Sequence, residues 1–330
     1  METRRLGSTD LHLSVIGLGT WVFGGRWGGA DDSDSVAACH AALDAGVNWI
    51  DTADIYGQHR AEHIVGKVLK ERRDSVIVAT KCGVAWSQDP TFHIWRDASG
   101  DYIRQAVDRN LQALGVDHID LFQVHWPVKS TSAEETMSAM VDLKAAGKIG
   151  AIGVSNYDLD DLERAHAVTP IDSFQVGYHV MRRQVEQEEL PWCAANGVGV
   201  LAYGPLAHGL LTGKMDTSTT FGPDDWRSES AFFADEAYPQ RVAVANELAE
   251  IASAGGRAGG LAELAVMWTL RRPEVTSAIV GARNAAQASA NALLAGRPLD
   301  ADEAAAIDGV LAKYPDVARP YGHGEPPEKT

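Results

Sequence analysis

Short apolar runs recur eight times along this chain, separated by helix-patterned sequence, and that alternation restricts the fold more than any other feature. The runs cover residues 16–20, 47–52, 76–81, 119–126, 149–155, 173–178, 198–203 and 276–280. They are rich in β-branched and aromatic residues and end in polar or Gly-containing stretches, as strands do. Helical patterning fills 33–45, 61–71, 101–114, 133–146, 159–167, 185–195 and 261–270, with two further helices at 238–254 and 284–294. Thr131 and Ser132 stand three residues before Glu134 and Glu135, capping-box spacing for the fourth helix. Gly46 and Gly147 follow helices where a C-cap belongs. Strands that alternate with helices pair in parallel, and eight such units close on themselves. The expected fold class is α/β, a (β/α)8 TIM barrel, and the absence of a composition break makes 1–330 one domain. Ahead of the barrel, 3–6 and 11–16 flank the turn residues Gly7, Ser8, Thr9 and Asp10, which predicts an N-terminal β-hairpin.

Charge and composition exclude several functions. With 45 acidic against 29 basic residues the formal net charge is -16, which opposes binding to a phosphate backbone, so no nucleic-acid partner is expected. No run is long enough to span a bilayer, and METRRLG lacks the apolar core of a secretion signal. No membrane partner is expected. Cys39, Cys82 and Cys193 are odd in number and widely spaced, which suits a reducing, cytoplasmic location. Cys82 beside Lys81 is open to a depressed pKa, with a buried inert thiol the better reading. No feature specifies an oligomeric state.

Chemistry concentrates at strand ends. The run 47–52 delivers Asp51 to a loop that carries Tyr56, 76–81 closes on Lys81, and 119–126 carries His125. Each residue alone has an ordinary structural explanation: a polar strand end, a packing tyrosine, a solvated lysine, a hydrogen-bonded core histidine. In a parallel barrel, however, all these ends face one rim, where catalytic residues gather. Of two long irregular stretches, the first belongs to the same rim. The insertion 215–236, with Trp226, Phe232 and Phe233, reads as a cover, and the Pro- and Gly-rich tail after 312 reads as a flap or frayed end. Two motifs mislead. His59, Glu62 and His63 spell an inverted zinc-protease pattern with no third ligand in context, so no metal is expected. Gly17 and Gly19 begin a dinucleotide fingerprint, but Val22 replaces its third glycine.

Several stretches together resemble the aldo-keto reductase family over nearly the whole chain: ALDAGVNWIDTADIYG at 42–57, LFQVHWP at 121–127, GKIGAIGVSNY at 147–157, YGPLAHGLLTGK at 203–214 and IVGARNAAQASAN at 279–291. The resemblance implies a barrel oxidoreductase using NADP(H), with NAD(H) possible, and a catalytic tetrad of Tyr56, Asp51, Lys81 and His125. Tyr56 is then the proton donor, its phenol made more acidic by the Lys81 ammonium, which Asp51 holds charged. Cofactor positions implied in the same way are Thr20, Trp21, Asp51, Ser155, Asn156, Gln175, Tyr203, Gly204, Pro205, Leu206, Gly209, Leu211, Lys214, Gly281, Arg283, Gln287 and Asn291. The 204–214 loop is no P-loop, since His208 and Met215 stand where that motif needs Gly and Ser or Thr. Gly281, Ala282 and Gln287 occupy positions where the family often holds a 2′-phosphate, leaving Arg283 as the nearby cation. Trp21, Tyr56, Trp86, His125 and Trp126 are the expected substrate-pocket residues. The implied activity is reduction of aldehydes or ketones, aldoses and aryl aldehydes included, on a small-molecule carbonyl or alcohol substrate. Two alternatives remain: a dehydrogenase oxidising alcohols or sugars, and a non-catalytic NADP(H)-binding regulatory subunit.

Overall fold

In the computed structural model, which describes residues 1–27, 31–87, 92–318 and 326–328, the N-terminal hairpin pairs β1 (Thr3–Arg5) with β2 (His12–Ser14). Eight parallel strands then close into a barrel: β3 (Ile16–Gly19), β4 (Trp49–Asp51), β5 (Ile77–Cys82), β8 (Ile119–Val124), β9 (Ile149–Ser155), β10 (Ser173–Gly177), β11 (Gly199–Tyr203) and β12 (Val275–Gly281). The two remaining strands, β6 (Val84–Trp86) and β7 (Ile94–Arg96), form a second small hairpin on the rim. The helices are α1 (Asp32–Asp44), α2 (Arg60–Arg72), α3 (Gly100–Leu114), α4 (Ala133–Ala145), α5 (Leu159–Val168), α6 (Glu189–Asn196), the short α7 (Ala231–Ala234), α8 (Tyr238–Ala254), α9 (Gly260–Leu270), α10 (Ala285–Ala292) and α11 (Ala301–Lys313).

Every expected barrel strand is present, each end within two residues of expectation. Four elements differ from expectation. The 185–195 stretch splits into a 3-10 turn at Gln184–Glu186 and α6. The β6–β7 hairpin, the short α7 and α11 were not expected at all. Ser132 does cap α4, accepting from Glu135 N at 3.2 Å, but the Glu135 carboxylate reaches Gly100 N at 3.0 Å, so the capping box is half formed.

The barrel interior has two layers, because side chains alternate between the two faces of each strand. The lower layer is apolar: Trp49, Ala79, Leu121, Ala151, Leu201 and Ile279 pack with Leu6 and Leu13 of the hairpin, which plugs the bottom. The Trp49 indole fills the space over Gly17 and donates to Ser14 O at 3.2 Å and Ser277 Oγ at 3.1 Å. One alternation further up, the same face carries Asp51, Lys81, Gln123, Gly153 and Tyr203; Gln175 of β10 reaches Asp51 in this layer, and Ser155 stands one further step up β9. A dry plug below therefore forces the polar layer to the upper rim, beside the loops. The larger apolar core lies outside the barrel, between strands and helices.

Candidate active site

Asp51 and Lys81 meet inside the barrel from neighbouring strands. Lys81 has none of its surface exposed and donates through Nζ to Asp51 Oδ2 at 2.7 Å, Asp51 Oδ1 at 2.9 Å and Thr52 O at 2.9 Å. All three ammonium hydrogens thus have acceptors, as burial of that charge requires. Burial lowers the Lys81 pKa, and Asp51 opposes the shift. The Lys81 Nζ also lies 5.2 Å from the centre of the Tyr56 ring. His125 stands on the other side of the phenol, ring centres 5.9 Å apart and nearly perpendicular. The tetrad expected from sequence is therefore gathered at one place.

The electrostatics of Tyr56 differ from expectation. Burial pushes its phenol well above the ordinary value, and Asp51, Tyr203 and Asp54 push it the same way. The Lys81 charge is largely answered by Asp51, so it does not overcome desolvation. Burial and Lys81 push the His125 pKa well below the ordinary value, leaving a neutral ring. Its Nδ1 is buried without a partner. A buried lone pair is tolerated better than a buried N–H, so the proton belongs on Nε2.

A cavity of about 1930 Å³ opens above this layer, far more than a small carbonyl compound needs. Of the residues expected from sequence, its wall includes Trp21, Asp51, Tyr56, His125, Trp126, Ser155, Asn156, Gln175, Tyr203, Gly204, Pro205, Leu206, Gly209, Lys214, Gly281, Arg283, Gln287 and Asn291. Three expected residues are engaged elsewhere. Thr20 is buried, its hydroxyl donating to Asp51 O at 3.0 Å. Leu211 is buried in the outer core. Trp86 packs on His59, ring centres 5.3 Å apart, because the unexpected β6–β7 hairpin turns it away.

Several wall residues hold one another. Tyr203 donates through its hydroxyl to Asn156 Oδ1 at 2.8 Å, and Asn156 Nδ2 donates to His125 O at 3.0 Å and Ser155 Oγ at 3.1 Å. Asn156 has φ +60°, a left-handed conformation that Asn adopts more readily than most residues. At the far end, Gln287 Oε1 accepts from Arg283 N at 2.9 Å and Asn291 Nδ2 donates to Gly281 O at 3.0 Å, fixing the loop that presents Arg283.

The 215–236 segment lies across the rim. Trp226 N donates to Arg26 O at 3.1 Å, Trp27 bridges to Asp225, and Arg26 pairs with Glu229 at 2.8 Å. Trp21, Trp27 and Trp226 pack their rings together above the cavity. Phe232 and Phe233 instead anchor the segment in the core. Of the expected flap, residues 319–325 and 329–330 lie outside the described residues, and 326–328 return to the rim. Pro326 lines the cavity, and the Glu328 carboxylate accepts from Lys129 N at 2.7 Å and Ser130 N at 3.1 Å.

The zinc-like motif is structural. Glu62 is fully buried and bonded by Thr80 Oγ1 at 2.6 Å and His59 Nδ1, while His63 Nδ1 faces Ala113 O at 3.0 Å. Among the described residues no cluster suits a metal ion. All three cysteines are buried, with Cys39 and Cys193 pushed up to about 12 and Cys82 raised too, so the inert reading of Cys82 fits.

Sequence reasoning missed Gln123. It sits two residues before His125, on the same strand face, as the polar member of an apolar run, and that parity was the available signal. Gln123 Nε2 lies 3.5 Å from Asp51 Oδ1. Trp27 was also missed, as were the contacts by which 326–328 reach the rim, because loop approach carries no local pattern.

A barrel closed in this order, with a buried ammonium–carboxylate pair beneath a phenol at its rim, is the arrangement that the resemblance to a barrel oxidoreductase implied. Comparison with known families narrows the class: the Aldo/keto reductase family model matches residues 15–312, and the chain belongs to that family. It is 39% identical over 315 residues to aldo-keto reductase YhdN of Bacillus subtilis (strain 168), covering 94% of each chain. It is 34% identical over 298 residues to the NADH-specific methylglyoxal reductase of Escherichia coli (strain K12), covering 86% of this chain and 90% of that one. Among solved structures, the glycerol dehydrogenase AKR11B4 of Gluconobacter oxydans superposes with a TM-score of 0.88 at 37% identity, over 97% of this chain and 98% of that one. The family and these relatives make the protein an enzyme of carbonyl oxidoreduction.

Proposed function

We propose that the protein reduces small aldehydes or ketones to alcohols with a nicotinamide dinucleotide, using Tyr56 as proton donor. The observation that carries this reading is the Lys81–Asp51 pair set directly beneath the Tyr56 ring, at the deep end of a cavity with room for a dinucleotide and a substrate together.

The residues present fit such a cofactor. Of the cations on the cavity wall, Arg26, Arg60 and Arg227 are paired with carboxylates, whereas Lys214 and Arg283 have no carboxylate partner among the described residues. Leaving cations unanswered in so acidic a chain suits an anionic ligand. Gly204, Gly209 and Gly213 have φ of +68°, +102° and +73°, which turns the 204–214 backbone sharply beside the cavity, while the N–H groups of Ala207, Gly209, Leu211 and Gly213 bond to carbonyls within the loop and hold that shape. This loop, with Lys214, would hold the pyrophosphate, and Ser155, Asn156 and Gln175 the carboxamide. When bound, the reduced nicotinamide supplies a hydride to the carbonyl carbon.

The chain supplies the rest. His125 Nε2–H hydrogen-bonds the carbonyl oxygen and orients it. Tyr56 transfers its phenolic proton to that oxygen as negative charge develops there. Lys81 steadies the phenolate left behind, and Asp51 keeps Lys81 in place. A phenol raised by burial is protonated throughout the neutral range, so the proton donor stays loaded for reduction. Oxidation uses the same residues in reverse and requires the phenolate. The names of the methylglyoxal reductase and the glycerol dehydrogenase put small oxygenated carbonyls and polyols first among substrates to test. NADP(H) remains the first choice of cofactor through Arg283, and the NADH-specific relative makes NAD(H) the necessary comparison. Buried free thiols support a cytoplasmic location.

The test is oxidation of NADPH and NADH by wild type across a carbonyl panel, set beside Tyr56→Phe. We expect the variant to lose about 100-fold or more in kcat, the scale of general-acid catalysis, with cofactor affinity retained. Normal single-turnover reduction in Tyr56→Phe would remove Tyr56 from the mechanism. Binding of cofactor with no turnover of any carbonyl would favour the regulatory-subunit alternative.

A further inference from the structure

Two buried amides, Gln123 of β8 and Gln175 of β10, meet Asp51 in the upper barrel layer. An ionised carboxylate only accepts hydrogen bonds, so the amide atom facing it must be nitrogen. This fixes Gln175 with Nε2 toward Asp51 Oδ1, at 2.8 Å, and gives Gln123 the same sense, with Nε2 3.5 Å from the same oxygen. Gln123 Oε1 then accepts from Gln175 Nε2 at 3.3 Å. Both hydrogens of the Gln175 nitrogen are thereby directed inward. Gln175 also lines the cavity, and among the described residues no donor reaches its Oε1.

A second observation lies on the strand between them. Gly153 of β9 pairs with Gln123 on one side and Ser173 on the other. A Cβ at 153 would stand 2.3 Å from Ser173 Oγ and 2.8 Å from Gln123 Cγ. Glycine at that position opens the path by which Gln123 crosses β9 to reach Gln175.

We infer that Gln123 is a positioning residue: it locks the Gln175 amide with nitrogen toward Asp51 and oxygen toward the cavity, so that the site takes a ligand bearing an –NH2 donor. This deepens the nicotinamide reading and rests on it. A carboxamide nitrogen has the hydrogens that Gln175 Oε1 accepts. The same bridge ties the group that grips the ring substituent to the carboxylate that holds Lys81. Without Gln123, Gln175 retains one inward hydrogen bond and is free to rotate, and selection of donor over non-donor weakens.

The experiment measures dissociation constants by fluorescence for reduced nicotinamide cofactor and for its 3-acetylpyridine analogue, in which methyl replaces –NH2. Wild type, Gln123→Met, Gln123→Glu and Gly153→Ala are compared, with an adenosine diphosphate fragment as control for the far end of the cavity. Wild type should prefer the nicotinamide form by roughly fivefold to tenfold, the scale of one hydrogen bond. In Gln123→Met the preference should fall to within about twofold while the fragment binds as in wild type. Gln123→Glu should restore it at low pH, where a protonated carboxyl can donate to Asp51 and accept from Gln175. It should lose it as that carboxyl ionises beside Asp51 and Lys81. Gly153→Ala should resemble Gln123→Met. Undiminished preference in Gln123→Met overturns the inference, and so does an equal weakening of all three ligands, which marks a purely structural role. If wild type binds neither dinucleotide, the nicotinamide reading falls first and this inference with it.

Discussion

Lys81 is held by three acceptors in a site from which water is excluded, and its charge is tolerable only because Asp51 is there. Lys81→Met removes one partner and leaves a buried carboxylate facing the two glutamine amides alone. Breaking a buried pair from one side costs about 3–5 kcal/mol, so urea unfolding of Lys81→Met should show a loss of that size together with loss of turnover. The Tyr56 phenol supplies a second expectation at this scale. Its raised pKa means that carbonyl reduction should hold steady through neutral pH and decline only in the alkaline range, while alcohol oxidation, which needs the phenolate, should climb as pH rises. Parallel pH profiles in the two directions check this, and an acid limb for oxidation that lies below neutrality would contradict it. Arg283 is the third case. If its guanidinium answers a 2′-phosphate, Arg283→Ala should lower the ratio of kcat/KM for NADPH over NADH by about tenfold or more, as loss of a hydrogen bond to a charged group does. An unchanged ratio would leave the choice of cofactor to other residues.

At the scale of elements, strand ends were legible because an apolar run that stops at Asp, Lys or His has few other readings in an alternating chain. Asp51, Lys81 and His125 could therefore be placed on one rim before any coordinates. The β6–β7 hairpin was not legible: Val84–Trp86 and Ile94–Arg96 are too short to show a period, and their pairing depends on each other and on Tyr102 below, whose hydroxyl donates to Val84 O at 3.2 Å. Trp86 was misplaced for that reason. Helix α11 has a full capping box at Asp300 and Glu303, a local signal that was available and passed over. The 326–328 segment shows how an irregular element is held. Arg96 N donates to Pro327 O at 2.6 Å, and the Glu328 carboxylate, its pKa lowered by the Lys129 and Ser130 amides, clamps the loop after β8. Glu328→Ala should raise hydrogen exchange at Lys129 and Ser130 and raise KM for carbonyl substrates, with global stability changed by no more than about 1 kcal/mol, since the site is a surface one. Unchanged exchange at both amides would show that the tail is held elsewhere.

For the whole molecule, the balance of buried titratable groups sets how stability responds to acid. Burial keeps His125 and His179 well below the ordinary histidine pKa and His208 at about 3, so all three are neutral when folded. Unfolded histidines take up protons near pH 6.5. Such groups contribute stability that is present above about pH 6.5 and is lost as pH falls toward their folded values. Asp54 acts oppositely: burial and Glu62 raise its pKa, so it stays protonated when folded and ionises on unfolding. Three protons gained against one released leaves about two taken up on unfolding near pH 5.5, a slope of roughly 2–3 kcal/mol per pH unit. Urea midpoints measured from pH 7 to pH 5 should fall accordingly, and a flat profile would mean that these histidines are accessible to protons in the folded state.

The order of the barrel strands and the helices between them, the N-terminal hairpin, the rim and the identities of Tyr56, Asp51, Lys81 and His125 were legible in the sequence alone. Periodicity and residue type act locally, and parallel closure follows from their repetition. Contacts between distant segments were decided by tertiary structure: Gln123 reaching Gln175 across Gly153, Trp27 meeting Asp225, and Glu328 meeting Lys129. So was the direction of the Tyr56 pKa. A single strand specifies which side chains face inward, but the distance between two of them on different strands, and the water left between them, exist only once the barrel has closed.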